Sequence, residues 1–214
     1  MTVTAIIPTY NRHESLLELA LPSVLRQTRP VDEVIIVADG EDPELFKQLW
    51  NDPRIQRVSP LAPGGGPQLH LYNIERPEYP GDAGSFWSVQ GWKARNTGLD
   101  EAKPGWVAPL DDDDEWTDDH IEILLNTALR EGTDFVYGQS TTPWGQMYGH
   151  WPPSGMNFTD GSQLYRHDMG YRYDPECLSR WLPTDADLWN RMVAGGVTFT
   201  FVQRIVHRYY PAPR

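Results

Sequence analysis

Residues 2–7 (Thr-Val-Thr-Ala-Ile-Ile) are β-branched and apolar and are stopped by Pro8. Such a run reads as a buried first strand. The same kind of run returns at residues 33–38 (Glu-Val-Ile-Ile-Val-Ala) and is closed by Asp39-Gly40. Between the two, Leu16, Leu17, Ala20, Leu21, Val24 and Leu25 recur at helical spacing. Asn11 is placed to cap that helix, with Glu14 three residues on as in a capping box, and Pro22 predicts a kink or interruption in it. Residues 43–50 read as a short helix and residues 54–58 as a third strand. Strand, helix, strand, helix, strand predicts an α/β chain with a mostly parallel central sheet and helices on both faces.

Residues 59–85 break the rhythm with Pro60, Pro63, Gly64-Gly65-Gly66-Pro67, Pro77, Pro80 and Gly81. They read as a long loop, functional or mobile. A helix is expected over 86–102 and a strand over 106–110. An amphipathic helix over 118–130 and a short strand at 135–138 follow. Residues 139–175 are rich in Gly, Pro, Trp and Tyr and lack a clean period. A helix at 185–193 and a last strand at 197–202 close the chain. There is no internal repeat, and 214 residues suit a single domain.

The strand at 106–110 runs straight into Asp111-Asp112-Asp113-Asp114. Asp is a poor strand former, and adjacent carboxylates repel one another, so the run is costly unless a cation sits on it. Ligands of open parallel sheets bind at the carboxyl ends of the strands. All-oxygen ligation suits Mg²⁺ or Mn²⁺, with diphosphate oxygens completing the shell. The plainer reading is a solvated acidic turn that starts the next helix. A net charge of -12 favours cations and argues against nucleic acid as a partner. Nine Trp exceed what a core of this size needs, so some are expected to line a cleft. Cys177, the lone cysteine, reads as a small buried hydrophobe, consistent with a reducing, cytoplasmic setting. No stretch has the leader pattern of a secreted chain or the length of a membrane span.

Ile6-Ile7-Pro8-Thr9-Tyr10-Asn11-Arg12, the strand ending Asp39-Gly40, Ala94-Arg95-Asn96-Thr97-Gly98-Leu99 and Leu110-Asp111-Asp112-Asp113-Asp114-Glu115-Trp116 occur in that order. Together they resemble the family 2 glycosyltransferases of the GT-A, Rossmann-like fold. The resemblance is best over residues 1–138, expected to bind the nucleotide-sugar, and looser over 139–214, expected to bind the acceptor. It implies that Pro8, Thr9, Tyr10 and Arg12 border the nucleotide and that Asp39 reads uracil. It implies that Asp113 is the main ligand of Mn²⁺ or Mg²⁺, with Asp111 or Asp112 reaching the ribose or sugar, and Asp111 a further metal candidate. Arg95 resembles the arginine that places the donor. Asp185, in Pro183-Thr184-Asp185-Ala186-Asp187, resembles the family's general base; Thr184 stands where Glu is usual and would also cap the helix. His207 is a candidate metal ligand. Arg180-Trp181 precedes the base, whereas the family's membrane synthases carry Gln-x-x-Arg-Trp after it, so processive synthesis is not expected.

The implied reaction transfers a sugar, with inversion, from a nucleotide-sugar such as a UDP-sugar to a carbohydrate or other acceptor hydroxyl. A carboxylate takes the hydroxyl proton as the new bond forms. Two alternatives differ in class. A sugar-phosphate nucleotidyltransferase would carry a Gly-rich loop after the first strand, where Pro8-Thr9-Tyr10-Asn11-Arg12 stands. A carbohydrate-binding module would account for the tryptophans but not for the acidic run.

Overall fold

The computed structural model describes residues 1–58, 66–153 and 157–211. They form an α/β domain around one sheet in the order β3-β2-β1-β4-β8-β6-β9-β5, with β7 paired to β6. β1 (Val3–Thr9), β2 (Glu33–Ala38), β3 (Gln68–Asn73) and β4 (Trp106–Pro109) run parallel. Beyond β4 the sheet is mixed. β6 (Phe135–Thr141) pairs antiparallel with β7 (Met147–Tyr148) and β8 (Gln163–Arg166), β8 antiparallel with β4, and β5 (Glu115–Trp116) antiparallel with the last strand. The last strand, β9 (Phe199–Arg208), runs parallel to β6.

The continuous apolar runs are legible as strands because both faces are covered. Val3, Ala5, Ile7, Val34 and Ile36 enter one core, and Ile6, Ile35 and Val37 the other, as the two-residue period of a strand requires. The first core is closed by the helix following β1 and by α7 (His120–Glu131), through Ile121, Leu124 and Leu125. The second is closed by α6 (Trp92–Glu101) and α8 (Thr184–Ala194), through Ala94, Leu99, Leu188 and Trp189.

Several local expectations change. Asn11 does not cap; it takes a left-handed conformation (φ 54°), which Asn tolerates. Its backbone N–H goes to Glu41 Oε1 at 2.9 Å. The interruption expected at Pro22 is present. The helix passes from α1 (His13–Ser15) through a π-helical stretch, Leu16–Ala20, into α2 (Leu21–Leu25), so Pro22 falls in the first turn of a new segment, where a missing N–H costs little. After α3 (Pro43–Asn51), residues 53–58 are a helix, α4 (Pro53–Val58), not a strand. Pro53 suits a first helical turn, Asp52 Oδ1 accepts from Arg54 N–H at 2.8 Å, and Ile55 and Val58, three apart, are both buried.

The third strand instead lies inside the stretch expected to be a loop. Of that stretch, residues 59–65 lie outside the described residues, as do 154–156 of the irregular second half. The single helix expected over 86–102 is two, α5 (Ala83–Val89) and α6, separated by Gly91 at φ 73°. A β-carbon on Gly91 would come within 2.6 Å of Arg95 Nη1, so the break both turns the chain and clears that guanidinium. Helix α8 starts at Thr184 without a side-chain cap.

β4 and β5 stand four places apart in the sheet, a distance of about 19 Å if it were flat. Only residues 110–114 join them, and a turn shortens that link, with Asp114 N–H donating to Asp111 O at 3.2 Å. The sheet is therefore curled, and the acidic run spans its opening.

Candidate active site at the carboxyl edge of the sheet

The carboxyl ends of β1, β2 and β4 present Thr9, Asp39 and the acidic run on one edge. Each aspartate of the run has a different environment. Thr9 Oγ1 donates to Asp112 Oδ2 at 2.7 Å, and Arg12 bridges Asp112 and Asp113. Burial pushes Asp112 up to about 6. Burial, followed by the charges of Asp111 and Asp114, pushes Asp113 up to about 7. These carboxylates are held in a place that penalises their charge, which is the penalty a cation relieves.

Asp114 turns inward. It accepts Tyr210 N–H at 2.8 Å and faces His207 Nε2 at 3.1 Å. His207 is fully buried, and its Nδ1 lies 3.0 Å from Thr159 Oγ1 and 3.1 Å from Ser140 Oγ. His207 is thus brought to Asp114 rather than to Asp111 or Asp113. Among the described residues no group of three or more His, Cys, Asp or Glu converges on a common point. The donor set fits a hard cation that takes one or two carboxylates and draws its other oxygens from a diphosphate.

On the β2 side, Asp39 is buried. Its Oδ2 accepts the Tyr79 hydroxyl at 2.5 Å, and Arg76 Nη1 donates to its backbone carbonyl at 2.9 Å. Its Oδ1 is buried and accepts no hydrogen bond. Burial raises its pKa against the opposing pull of Tyr79 and Arg76. Arg76 Cζ also sits 3.5 Å from the centre of the Tyr10 ring, and Tyr10 is 40% exposed. Gly40, at φ 76°, allows this close approach: a β-carbon there would lie 2.8 Å from Arg76 Cα and closer still to its Cβ.

Arg95, on α6, joins the two halves of the site. Its Nε donates to Asp160 Oδ2 at 3.0 Å, its Nη1 to Gln90 O at 2.9 Å and its Nη2 to Asp111. Burial works against its charge, but Asp111, Asp160 and Asp185 outweigh that and hold it protonated. Asp185 is half-buried in the first turn of α8, and burial raises its pKa. One guanidinium therefore binds Asp111 and Asp160 together. Asp187, two residues along the helix, points elsewhere and pairs with Arg180 and Arg191.

Pro8 lies at the end of β1, level with Val37. Sequence reasoning missed Arg76, Tyr79, Asp160 and Tyr173. Their partners lie 13 to 65 residues away, and no local pattern marks them. The tryptophans divide: Trp106, Trp116 and Trp189 are buried, whereas Trp50, Trp87, Trp144, Trp151 and Trp181 are exposed.

A family model, Glycosyl transferase family 2, matches residues 4–56 and 91–195. Among curated proteins, the uncharacterized glycosyltransferase YwdF of Bacillus subtilis (strain 168) is 28% identical over 86% of this chain and 56% of its own length. The succinoglycan biosynthesis protein ExoW of Rhizobium meliloti (strain 1021) is 30% identical over 69% of this chain and 40% of its own. The chain thus spans about half the length of the relatives it matches. Among solved structures, S. aureus TarS 1-349 in complex with UDP superposes with a TM-score of 0.69 at 16% identity, covering 100% of this chain and 61% of TarS 1-349. A complex of the same protein with UDP-GlcNAc gives 0.62. At that identity the likeness shows the GT-A fold.

Proposed function

The chain belongs to glycosyl transferase family 2, and from that membership we propose that it moves a sugar from a UDP-sugar to an acceptor hydroxyl, with inversion and one residue at a time. The observation that carries the reading is a buried Asp39 oxygen that accepts no hydrogen bond, on the same sheet edge as Arg95 bound to Asp111 at the end of β4.

An imide N–H of uracil would satisfy Asp39 Oδ1, and the exposed Tyr10 ring and the Arg76 guanidinium offer flat faces for the base. Pro8 and Thr9 would form the floor beneath the nucleoside. Arg95 and Arg12 would meet the diphosphate, each exchanging a carboxylate for phosphate oxygens. Asp113 and Asp111 would hold Mn²⁺ or Mg²⁺, which when bound neutralises charge on the leaving diphosphate. Asp112, fixed by Thr9, would stand beside the ribose or sugar. His207 is engaged with Asp114, so its part would be to support the end of the run.

The acceptor oxygen forms its bond to the anomeric carbon as the bond from that carbon to the diphosphate breaks. The electron pair leaves with the nucleoside diphosphate, and the acceptor proton goes to Asp185. A raised pKa suits a carboxylate to that task, because it strengthens the base. The availability of Asp185 and the pairing of Asp187 with two arginines support a single base and hence inversion. No described helix is long and apolar enough to cross a membrane.

The test is a titration of UDP, GDP and dTDP with Mn²⁺, followed by donor turnover. UDP binding with release of UDP from a UDP-sugar in the presence of an acceptor is the expected result. Release of pyrophosphate instead would overturn it.

A further inference from the structure

Asp160 lies in the short 3-10 turn Asp160–Ser162 before β8, only 6% exposed. Its carboxylate is surrounded by donors. The Tyr173 hydroxyl reaches both oxygens, at 2.8 and 3.0 Å, Arg95 Nε reaches Oδ2 at 3.0 Å, and Gln163 Nε2 reaches Oδ1. Each of these is held in turn. Trp189 Nε1 donates to Gln163 Oε1 at 2.7 Å. Tyr173 exchanges two backbone bonds of 2.8 Å with the side chain of Asn96, the neighbour of Arg95. The Tyr173 ring centre is 5.5 Å from Arg95 Cζ.

A carboxylate buried this deeply is an expensive way to fill a core; apolar residues of the same volume would serve the fold as well or better. What this network secures is the pose of one side chain. Of the three edges of the Arg95 guanidinium, Nε is tied to Asp160 and Nη1 to Gln90 O, and the third, Nη2, meets the partly exposed Asp111. A free arginine would lose considerable rotamer entropy on gripping a phosphate; one already fixed loses little.

We propose that Asp160 is a positioning residue for donor binding: it holds Arg95 by Nε so that Nη2 can pass from Asp111 to the donor diphosphate. The inference rests on the reading of Arg95 as a diphosphate ligand. Asp160 itself stays out of the reaction and keeps its bond to Arg95 throughout, while Asp111 is released at the moment the donor arrives.

The experiment compares UDP with uridine, which lacks the diphosphate, by competition binding to wild type, Asp160→Asn, Tyr173→Phe and Arg95→Lys, and to the Asp160→Asn/Arg95→Lys double variant. Asp160→Asn keeps the shape but removes the charge facing the guanidinium and leaves one acceptor oxygen for two N–H donors, Arg95 and Gln163. It should weaken UDP at least tenfold and uridine less than twofold. Tyr173→Phe, a milder change in the same network, should weaken UDP about threefold and leave uridine alone. In the Arg95→Lys background Asp160→Asn should cost less than twofold, because the side chain it positions is gone. Equal loss for UDP and uridine, or full additivity with Arg95→Lys, would assign Asp160 to the fold alone and overturn the proposal. If wild type binds no UDP, the donor-site reading fails and this inference falls with it. If wild type binds UDP and both Asp160→Asn and Tyr173→Phe bind it equally well, only this inference fails.

Discussion

Arg180 clasps Asp187 through two bonds, Nη2 to Oδ2 at 2.9 Å and Nε to Oδ1. Arg191, one turn along α8, adds a third at 2.7 Å. Asp187 is 1% exposed, so its charge is fully spent on two arginines. Asp185 has neither a paired arginine nor the same direction, since residues two apart on a helix point about 200° from each other.

These environments predict opposite phenotypes. Asp185→Asn should retain UDP affinity within about twofold and lose roughly 10²–10⁴-fold in turnover. Asp187→Asn should leave two arginines short of a partner and cost about 2 kcal/mol, a fall of roughly 4–8 °C in Tm. Thermal melts and single-turnover rates on both variants decide it. A stable, inactive Asp187→Asn beside an active Asp185→Asn would reverse the assignment.

Asp39 should set base preference. UDP is expected to bind more tightly than CDP or GDP, and Asp39→Ala to lose at least tenfold in UDP affinity while the UDP/CDP ratio narrows. Calorimetry on the four combinations checks this, and an unchanged ratio would remove Asp39 from base reading.

Donor affinity should depend on a divalent cation through Asp113. UDP titrated into wild type and Asp113→Ala, with and without Mn²⁺, is expected to bind well only in wild type with Mn²⁺. Equal affinity in all four cells would refute a metal role for that residue.

Asp113 also carries a pH signature. Its folded pKa is about 7, above the ordinary carboxylate value of about 4. The folded state therefore keeps a proton that the unfolded chain releases between those values. Stability must fall as pH rises through that window and level off above it. Asp112, at about 6, slopes the same way. Asp113→Asn cannot ionise, so it should raise Tm at pH 8 by roughly 2–4 °C, equivalent to about 1 kcal/mol, and change it little at pH 4.5. A gain of the same size at both pH values would show that the charge is not the cause.

How much was legible follows from how each residue is held. β1, β2 and β4 are buried on both faces, so their continuous apolar runs announce them, and the acidic run at the end of β4 follows from the same strand. β3 was hidden although Leu69 and Leu71 alternate with His70 and Tyr72, because the surrounding prolines and glycines suggested only loop. α4 was misread because Ile55 and Val58 favour strands in composition, while their spacing of three fits a helix. Asp160 and Tyr79 could not be found from local pattern. Each acquires its role from a partner that the strand order of the sheet brings near, 65 residues away for Asp160 and 40 for Tyr79.

That curl also bears on engineering. β8 and β9 come from the second half of the chain, yet β8 pairs with β4, and β9 with β5, which continues directly from the acidic run. The indole N–H of Trp116 on β5 donates at 2.9 Å to the carbonyl of Gly161, beside Asp160. The two halves are thus interleaved rather than joined end to end. A chimera that exchanged residues 139–214 would remove the strands that frame the acidic edge. Specificity is better transplanted as loops between fixed strands than as a cassette.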